Sequence, residues 1–307
     1  MAEMILVSGH KSPDTDTICS ALVCAHWLRA QGKEAKAIRA GEINKETAFA
    51  LDYFGSEAPE LVTRVEAGQP MYLVDHNESK QAVDGMTDAD VQGLIDHHRL
   101  GDFTTDQPIL IRIEPVGCTG TILYSLYQQC GIEIPRQMAG LMLSAIISDT
   151  LLFRSPTCTE RDRKAVQELA QIADVDYEKY GMDMLKAGAD LSDKTAAELV
   201  LTDKKEFDGK KGTFSIAQLS VMDTQPILAQ RDELLRLLEE DRAAHNYEAS
   251  FLMVTDILEE STDLLYTSQV ETAIEAAFQV KGNAQTLHLP GVMSRKKQVA
   301  PPLLGAL

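Results

Sequence analysis

With 307 residues, of which 44% are hydrophobic and 25% charged, the chain can bury a sizeable core and has room for about two domains. Its formal net charge of -18 argues against a nucleic-acid backbone as partner and suits the collection of divalent cations. No apolar run is long enough to span a membrane and no secretion-signal order opens the sequence, so a cytoplasmic protein with no membrane partner is expected. The five cysteines, Cys19, Cys24, Cys118, Cys130 and Cys158, form no CxxC pair; buried apolar filler is the expected role, not a disulfide framework or a thiolate zinc site.

The first apolar run, Met4-Ile5-Leu6-Val7, predicts a buried strand, and Ile18, Ala21, Leu22, Ala25 and Leu28 then recur at helical spacing. Between them lies Ser8-Gly9-His10-Lys11-Ser12-Pro13-Asp14-Thr15-Asp16-Thr17, a polar strand-to-helix loop with Asp16 as its expected N-cap. A second run, Met71-Tyr72-Leu73-Val74, ends in Asp75-His76-Asn77-Glu78. A third, Gly93-Leu94-Ile95, ends in Asp96-His97-His98-Arg99. Three predicted strands thus release Asp or His at their carboxyl ends, the edge where a parallel sheet gathers its functional groups. Residues 137–148 read as an apolar helix whose end carries Asp149, and the spacing up to that point is of βαβ type.

Residues 165–173 predict another helix, and 186–192, with small residues and Gly188, read as a hinge. Beyond it, 207–214 has the turn chemistry of a hairpin, and 227–244 reads as one long charged helix. Strands are expected at 251–254 and 264–266, and a helix at 270–278. The class is therefore α/β, a mainly parallel N-terminal sheet followed by a smaller α/β unit. That second unit carries few His or Asp clusters, and its notable run is basic: Ser294-Arg295-Lys296-Lys297-Gln298.

One His or Asp alone says little. Four separated segments, each ending a strand or helix with such residues, point to a metal centre. Imidazole and carboxylate ligands without thiolate suit Mn²⁺, Co²⁺ or Zn²⁺. Two metals sharing a carboxylate can bridge a hydroxide and neutralise an anionic substrate, services that phosphoryl chemistry needs together. An acidic chain handling a phosphorylated substrate also needs local cations, which Lys204, Lys205, Arg295, Lys296 and Lys297 offer.

His10-x3-Asp14-x-Asp16, Asp75-His76-Asn77 and Asp96-His97-His98 resemble, in order and spacing, the motifs of the DHH phosphoesterase superfamily. With the basic run at Arg295 and Lys296, the chain resembles the family II inorganic pyrophosphatases over essentially its whole length. That resemblance implies a DHH catalytic domain at 1–187, whose mainly parallel sheet is flanked by helices, a linker at 188–192 and a smaller DHHA2 domain at 193–307. It implies hydrolysis of pyrophosphate to two phosphates by a metal-bridging hydroxide, with the C-terminal domain closing over the substrate. It further implies Mn²⁺ or Co²⁺ at two sites, additional Mg²⁺ or Mn²⁺ arriving with substrate, and a homodimer. Residue by residue, His10 and Asp14 would hold one metal, Asp16, His97 and Asp149 the other, and Asp75 would bridge them. His98 would hydrogen-bond the oxygen between the two phosphorus atoms, and Lys205, Arg295 and Lys296 would bind the phosphates.

His76 and Asp96 are expected to orient neighbouring ligands, while His26, His245 and His288 are expected to be structural. Asn77 either positions a ligand or caps a turn. Ser12 stands where family members often carry Asn, and Lys204 beside Lys205 leaves an ambiguity of one position, which the Asp203 and Phe207 flanks resolve towards Lys205. The same scaffold also serves exopolyphosphatases and nucleotide phosphodiesterases, and a third alternative is a non-catalytic metal- or nucleotide-binding module. No Gly-Gly-Gly-His element of the nuclease type is present.

Overall fold

The computed structural model describes residues 4–191 and 193–307. They form two compact units that divide between Ala187 and Gly188.

The first unit is built on six parallel strands: β1 (Ile5–Ser8), β2 (Ala35–Arg39), β3 (Glu60–Leu61), β4 (Pro70–Val74), β5 (Asp90–Asp96) and β6 (Leu110–Ile113). Their spatial order is β3-β2-β1-β4-β5-β6. The order reverses between β1 and β4, which opens a crevice at the carboxyl ends of those two strands. β4 is buried along its whole length, and its alternation separates two cores. Tyr72 and Val74 face a helical layer made by α1 (Thr15–Ala30), α3 (Thr119–Cys130), α4 (Arg136–Thr150) and α5 (Glu160–Ala173). Met71 and Leu73 face a thinner cover of Val65, Ala82, Val83 and Met86, drawn from the connections on either side of β4. α2 (Lys45–Tyr53) and α6 (Tyr177–Ala189) pack on the helical side through Ala50, Leu51, Tyr180 and Met184.

The second unit carries a mixed sheet of β7 (Lys205–Asp208), β8 (Thr213–Val221), β9 (Ala249–Asp256), β10 (Ser261–Tyr266) and β11 (Thr286–Pro290), in the order β11-β10-β9-β8-β7. Only the β8–β9 pair is parallel. Phe251 and Met253 of β9 face α10 (Glu271–Phe278) and α11 (Ala300–Ala306). Leu252 and Val254 face α7 (Ala196–Leu199), α8 (Gln225–Leu228) and α9 (Arg231–His245).

Three local expectations are corrected. Asp14, not Asp16, caps α1: its backbone is extended and its Oδ1 accepts from Thr17 N at 2.9 Å, because the first helical residue is Thr15. The helix expected at 227–244 is two helices, α8 and α9, and the turn between them lets Ile227 join Leu234 and Leu238 in one core. The tract read as a hinge starts inside α6, since Gly188 and Ala189 are its last two residues; Ser192, its last position, lies outside the described residues.

Candidate metal centre

Each motif sits where a chain element ends. His10 follows β1, Asp14 and Asp16 open α1, Asp75 follows β4, His97 and His98 follow β5, and Asp149 lies in the last turn of α4. Apart from Asp16 and Asp149, which lie within helices, these positions lie at the carboxyl edge of the sheet or in the loop that leaves it. Asp75 has a left-handed backbone (φ 60°), and its N–H donates to Ile95 O at 3.0 Å, so the chain turns sharply at the strand end and presents the carboxylate.

The structure brings these side chains together. Donor atoms of His10, Asp14 and Asp75 lie within 4.8 Å of one another, as do those of Asp16, Asp75, His97 and Asp149, and those of Asp75, His97 and His98. Asp75 belongs to all three groups: its Oδ2 is 3.4 Å from His10 Nε2 and its Oδ1 is 3.4 Å from His97 Nε2. His10 Nε2 also approaches Asp14 Oδ2 at 3.3 Å, and His97 Nε2 approaches Asp149 Oδ2 at 3.4 Å. His97 Nδ1 lies 3.2 Å from Val116 O, a contact only a protonated Nδ1 can make as donor. With Nδ1 so committed, the ring presents Nε2 to two carboxylates. Like-signed donor atoms converging in this way fit a divalent cation, and the oxygen and nitrogen donor set suits Mn²⁺.

The surroundings hold the carboxylates in place. Asp75 Oδ2 accepts from Thr17 Oγ1 at 2.6 Å and Oδ1 from Thr119 Oγ1 at 3.3 Å. Asp16 accepts from Ser20 Oγ at 2.5 Å and from Thr119 N at 2.8 Å. The start of α3 is itself anchored, because the fully buried Asp162 accepts from Gly117 N, Thr121 Oγ1 and the N–H and hydroxyl of Thr159. Burial, reinforced by the negative charge of Asp75, pushes the Asp16 carboxyl up to about 7. Burial also opposes ionisation of Asp75, but hydrogen bonds from His10 and His97 outweigh it and hold that carboxyl well below the usual range.

His98 is 30% exposed at its side chain, with its Nδ1 2.8 Å from Asp96 Oδ1. Burial and the neighbouring His97 ring push its pKa down to about 4 against the pull of Asp96. Asp96 in turn accepts from Asn77 Nδ2 at 2.5 Å. Asn77 also donates to Arg99 O and accepts from Gly101 N, so it braces the loop after β5. His76 turns Nδ1 to Val74 O at 2.9 Å, and its buried Nε2 has no hydrogen-bond partner among the described residues.

The second unit places Lys205 at the start of β7, opposite Ile216 of β8. Arg295, at the head of a π-helical turn (Arg295–Val299), donates to Ile216 O at 3.2 Å and to Asp203 Oδ2 at 2.8 Å. Lys296 is the next residue of that turn. Lys204 is committed elsewhere: its Nζ lies 2.7 Å from Asp241 Oδ1 and 5.4 Å from the centroid of the Tyr247 ring. Of the cysteines, Cys19, Cys24 and Cys118 are buried, Cys158 is half-buried and Cys130 is exposed; Cys118 Sγ also caps α3 by accepting from Gly120 N. Thr17, Thr119 and Asp162 carried no motif signal. Only the threonine three residues after Asp14 lay close enough in sequence to be suspected.

A parallel sheet with a mixed imidazole and carboxylate cluster at its switch point, followed by a small mixed-sheet unit, is the architecture of two known domains in tandem. The family model for the DHH family N-terminal domain matches residues 4–146, and that for the DHHA2 domain matches 182–306. A Bacillus licheniformis protein named a probable manganese-dependent inorganic pyrophosphatase is 48% identical over 99% of this chain and 98% of its own length. A Shouchella clausii protein of the same name is 48% identical over 98% and 97%. The crystal structure of a Methanococcus jannaschii protein described as a family II inorganic pyrophosphatase superposes with a TM-score of 0.89 at 38% identity, covering 99% of each chain. The chain belongs to the manganese-dependent, family II inorganic pyrophosphatases.

Proposed function

We propose that this protein hydrolyses inorganic pyrophosphate to two phosphates at the cluster around Asp75. The sharing of Asp75 by the donors of His10 and Asp14 on one side and of Asp16, His97 and Asp149 on the other carries the reading, because two adjacent cations are what a phosphoanhydride needs. Bound there, two Mn²⁺ or Co²⁺ would supply charge neutralisation and an acidified water. His10 and Asp14 are assigned to one ion, Asp16, His97 and Asp149 to the other, and Asp75 to both. Additional Mg²⁺ or Mn²⁺ accompanies the substrate.

The remaining groups bind and orient. Asp96 holds the Nδ1 proton of His98, so His98 can donate from Nε2 only as the imidazolium. The negative charge of pyrophosphate favours that form, and the donated bond then steadies the bridging oxygen as it leaves. Lys205, Arg295 and Lys296 contribute cationic contacts to the phosphates, Arg295 as a planar fork and the lysines as point charges. Residues 1–187 are assigned to the catalytic domain, 193–307 to the substrate-binding domain, and the tract between them, whose first two residues still belong to α6, to the connection.

A cytoplasmic homodimer completes the reading. β6 is an outer strand of its sheet, and Leu110 and Ile111 on it are 43% and 50% exposed, an edge suited to pairing with a second copy. Light scattering on an Ile111→Lys variant tests this, since a dimer built on β6 becomes monomeric. The activity itself is tested by stripping the protein with chelator, restoring Mn²⁺, Co²⁺, Zn²⁺ or Mg²⁺, and offering pyrophosphate, tripolyphosphate, longer polyphosphate, a nucleoside monophosphate and an oligonucleotide in parallel. Preferential phosphate release from pyrophosphate with Mn²⁺ or Co²⁺ is expected. Better cleavage of a longer chain or of a nucleotide moves the function elsewhere in the superfamily.

A further inference from the structure

α2 supplies none of the residues assigned above, yet the half-buried Glu46 in its first turn directs its carboxylate to the residues flanking the metal cluster. Its Oε1 accepts from Thr15 Oγ1 at 2.8 Å and also from Ser148 Oγ. Thr15 stands between Asp14 and Asp16, and Ser148 immediately precedes Asp149. The donors lie 31 and 102 positions away along the chain, so one carboxylate oxygen ties the N-terminus of α1 to the C-terminal turn of α4. The turn that carries Glu46 is held as well: Asn44 caps α2 through Thr47 N at 2.7 Å, and Thr47 Oγ1 sits 3.2 Å from Thr15 Oγ1.

We propose that Glu46 is a positioning residue for the half of the centre built from Asp16 and Asp149. By fixing the spacing of two helix ends, it sets the geometry in which those carboxylates meet a divalent cation. Coordination bonds tolerate only a few tenths of an ångström of misplacement, so partners outside the coordination sphere govern affinity strongly. The inference rests on the two-metal reading above and concerns metal binding more directly than turnover.

The test is a calorimetric Mn²⁺ titration of the metal-free full-length protein, with Mn²⁺ EPR spectra, for the parent, Glu46→Ala and Glu46→Gln. Glutamine keeps an amide oxygen that can accept both hydroxyls, so Glu46→Gln should resemble the parent in affinity and spectrum. Glu46→Ala should lose about ten-fold or more at one of the two sites. Two Mn²⁺ bound by Glu46→Ala as tightly as by the parent overturn the proposal. So does a Glu46→Gln variant as weak as the alanine, which would assign the effect to charge. Should Glu46→Ala not fold, Thr15→Val and Ser148→Ala each remove one hydroxyl donor. Each is expected to weaken the same site, and together by less than the sum of the two losses in free energy, because they share one acceptor; unchanged affinity in both variants overturns the idea. Pyrophosphate hydrolysis is followed separately. A parent that binds two Mn²⁺ without hydrolysing pyrophosphate defeats the functional reading and leaves the titration to decide the role of Glu46, whereas a parent that binds no Mn²⁺ defeats both.

Discussion

Asp75 combines two demands on a single residue, a left-handed backbone and a carboxylate aimed at two imidazoles. Asparagine adopts that backbone readily while alanine strains there, so Asp75→Asn separates loss of charge from loss of fold. Asp75→Asn should weaken both Mn²⁺ sites by about ten-fold or more, and retention of two tight ions in a calorimetric titration would refute the bridging role. His98 makes the opposite case, since its ring is tied to Asp96 and not assigned to a metal. His98→Gln should keep both Mn²⁺ and lose about a hundred-fold or more in kcat, the range for a missing proton donor. Normal turnover in that variant would remove His98 from the chemistry.

Among the elements, α4 shows a contact overruling a propensity. Gly140 lies inside this buried helix, where alanine would ordinarily be favoured by about 1 kcal/mol. A Cβ at that position, however, would meet the ring of Phe54, itself 5% exposed and packed 5.2 Å from the Tyr180 ring. Overpacking of a filled core costs about 1–3 kcal/mol, so Gly140→Ala should lower stability in a urea melt. A stabilised variant would show instead that Phe54 shifts freely. α4 also ends unusually, with Leu151, Leu152 and Phe153 all at positive φ, and Arg163 donating to Phe153 O while lying 4.9 Å from that ring. The turn directly after Asp149 is therefore held by tertiary contacts where local preference opposes it.

For the molecule as a whole, the cluster links metal binding to folding, because converging carboxylates that repel in the metal-free state are joined when a cation binds. A ligand present at a thousand times its dissociation constant stabilises a fold by about 4 kcal/mol per site. For a unit of this size that shifts the melting temperature by about 10 °C per site, so by about 20 °C with both sites filled. Scanning calorimetry of chelated and Mn²⁺-restored protein should show such a gap, carried by the transition of the first unit. Equal melting temperatures would mean that the cluster does not hold Mn²⁺ tightly.

The strands at β1, β4 and β5 and the candidate ligands at their ends were legible in the sequence. A buried strand is a short apolar run, and a parallel sheet delivers the residues after each such run to one edge. The cap of α1 was displaced by two residues, and the break between α8 and α9 was invisible, because neither disturbs the apolar period. Only the tertiary structure decided the partners that lie far apart along the chain. Thr119 N reaches Asp16 across 103 positions, Gly117 N reaches Asp162 across 45, and Ser148 reaches Glu46 across 102. Periodicity and motifs report what neighbours in sequence must do. Which hydroxyl or amide steadies a given carboxylate depends on which helices pack together, and that is set by the shape of the whole core.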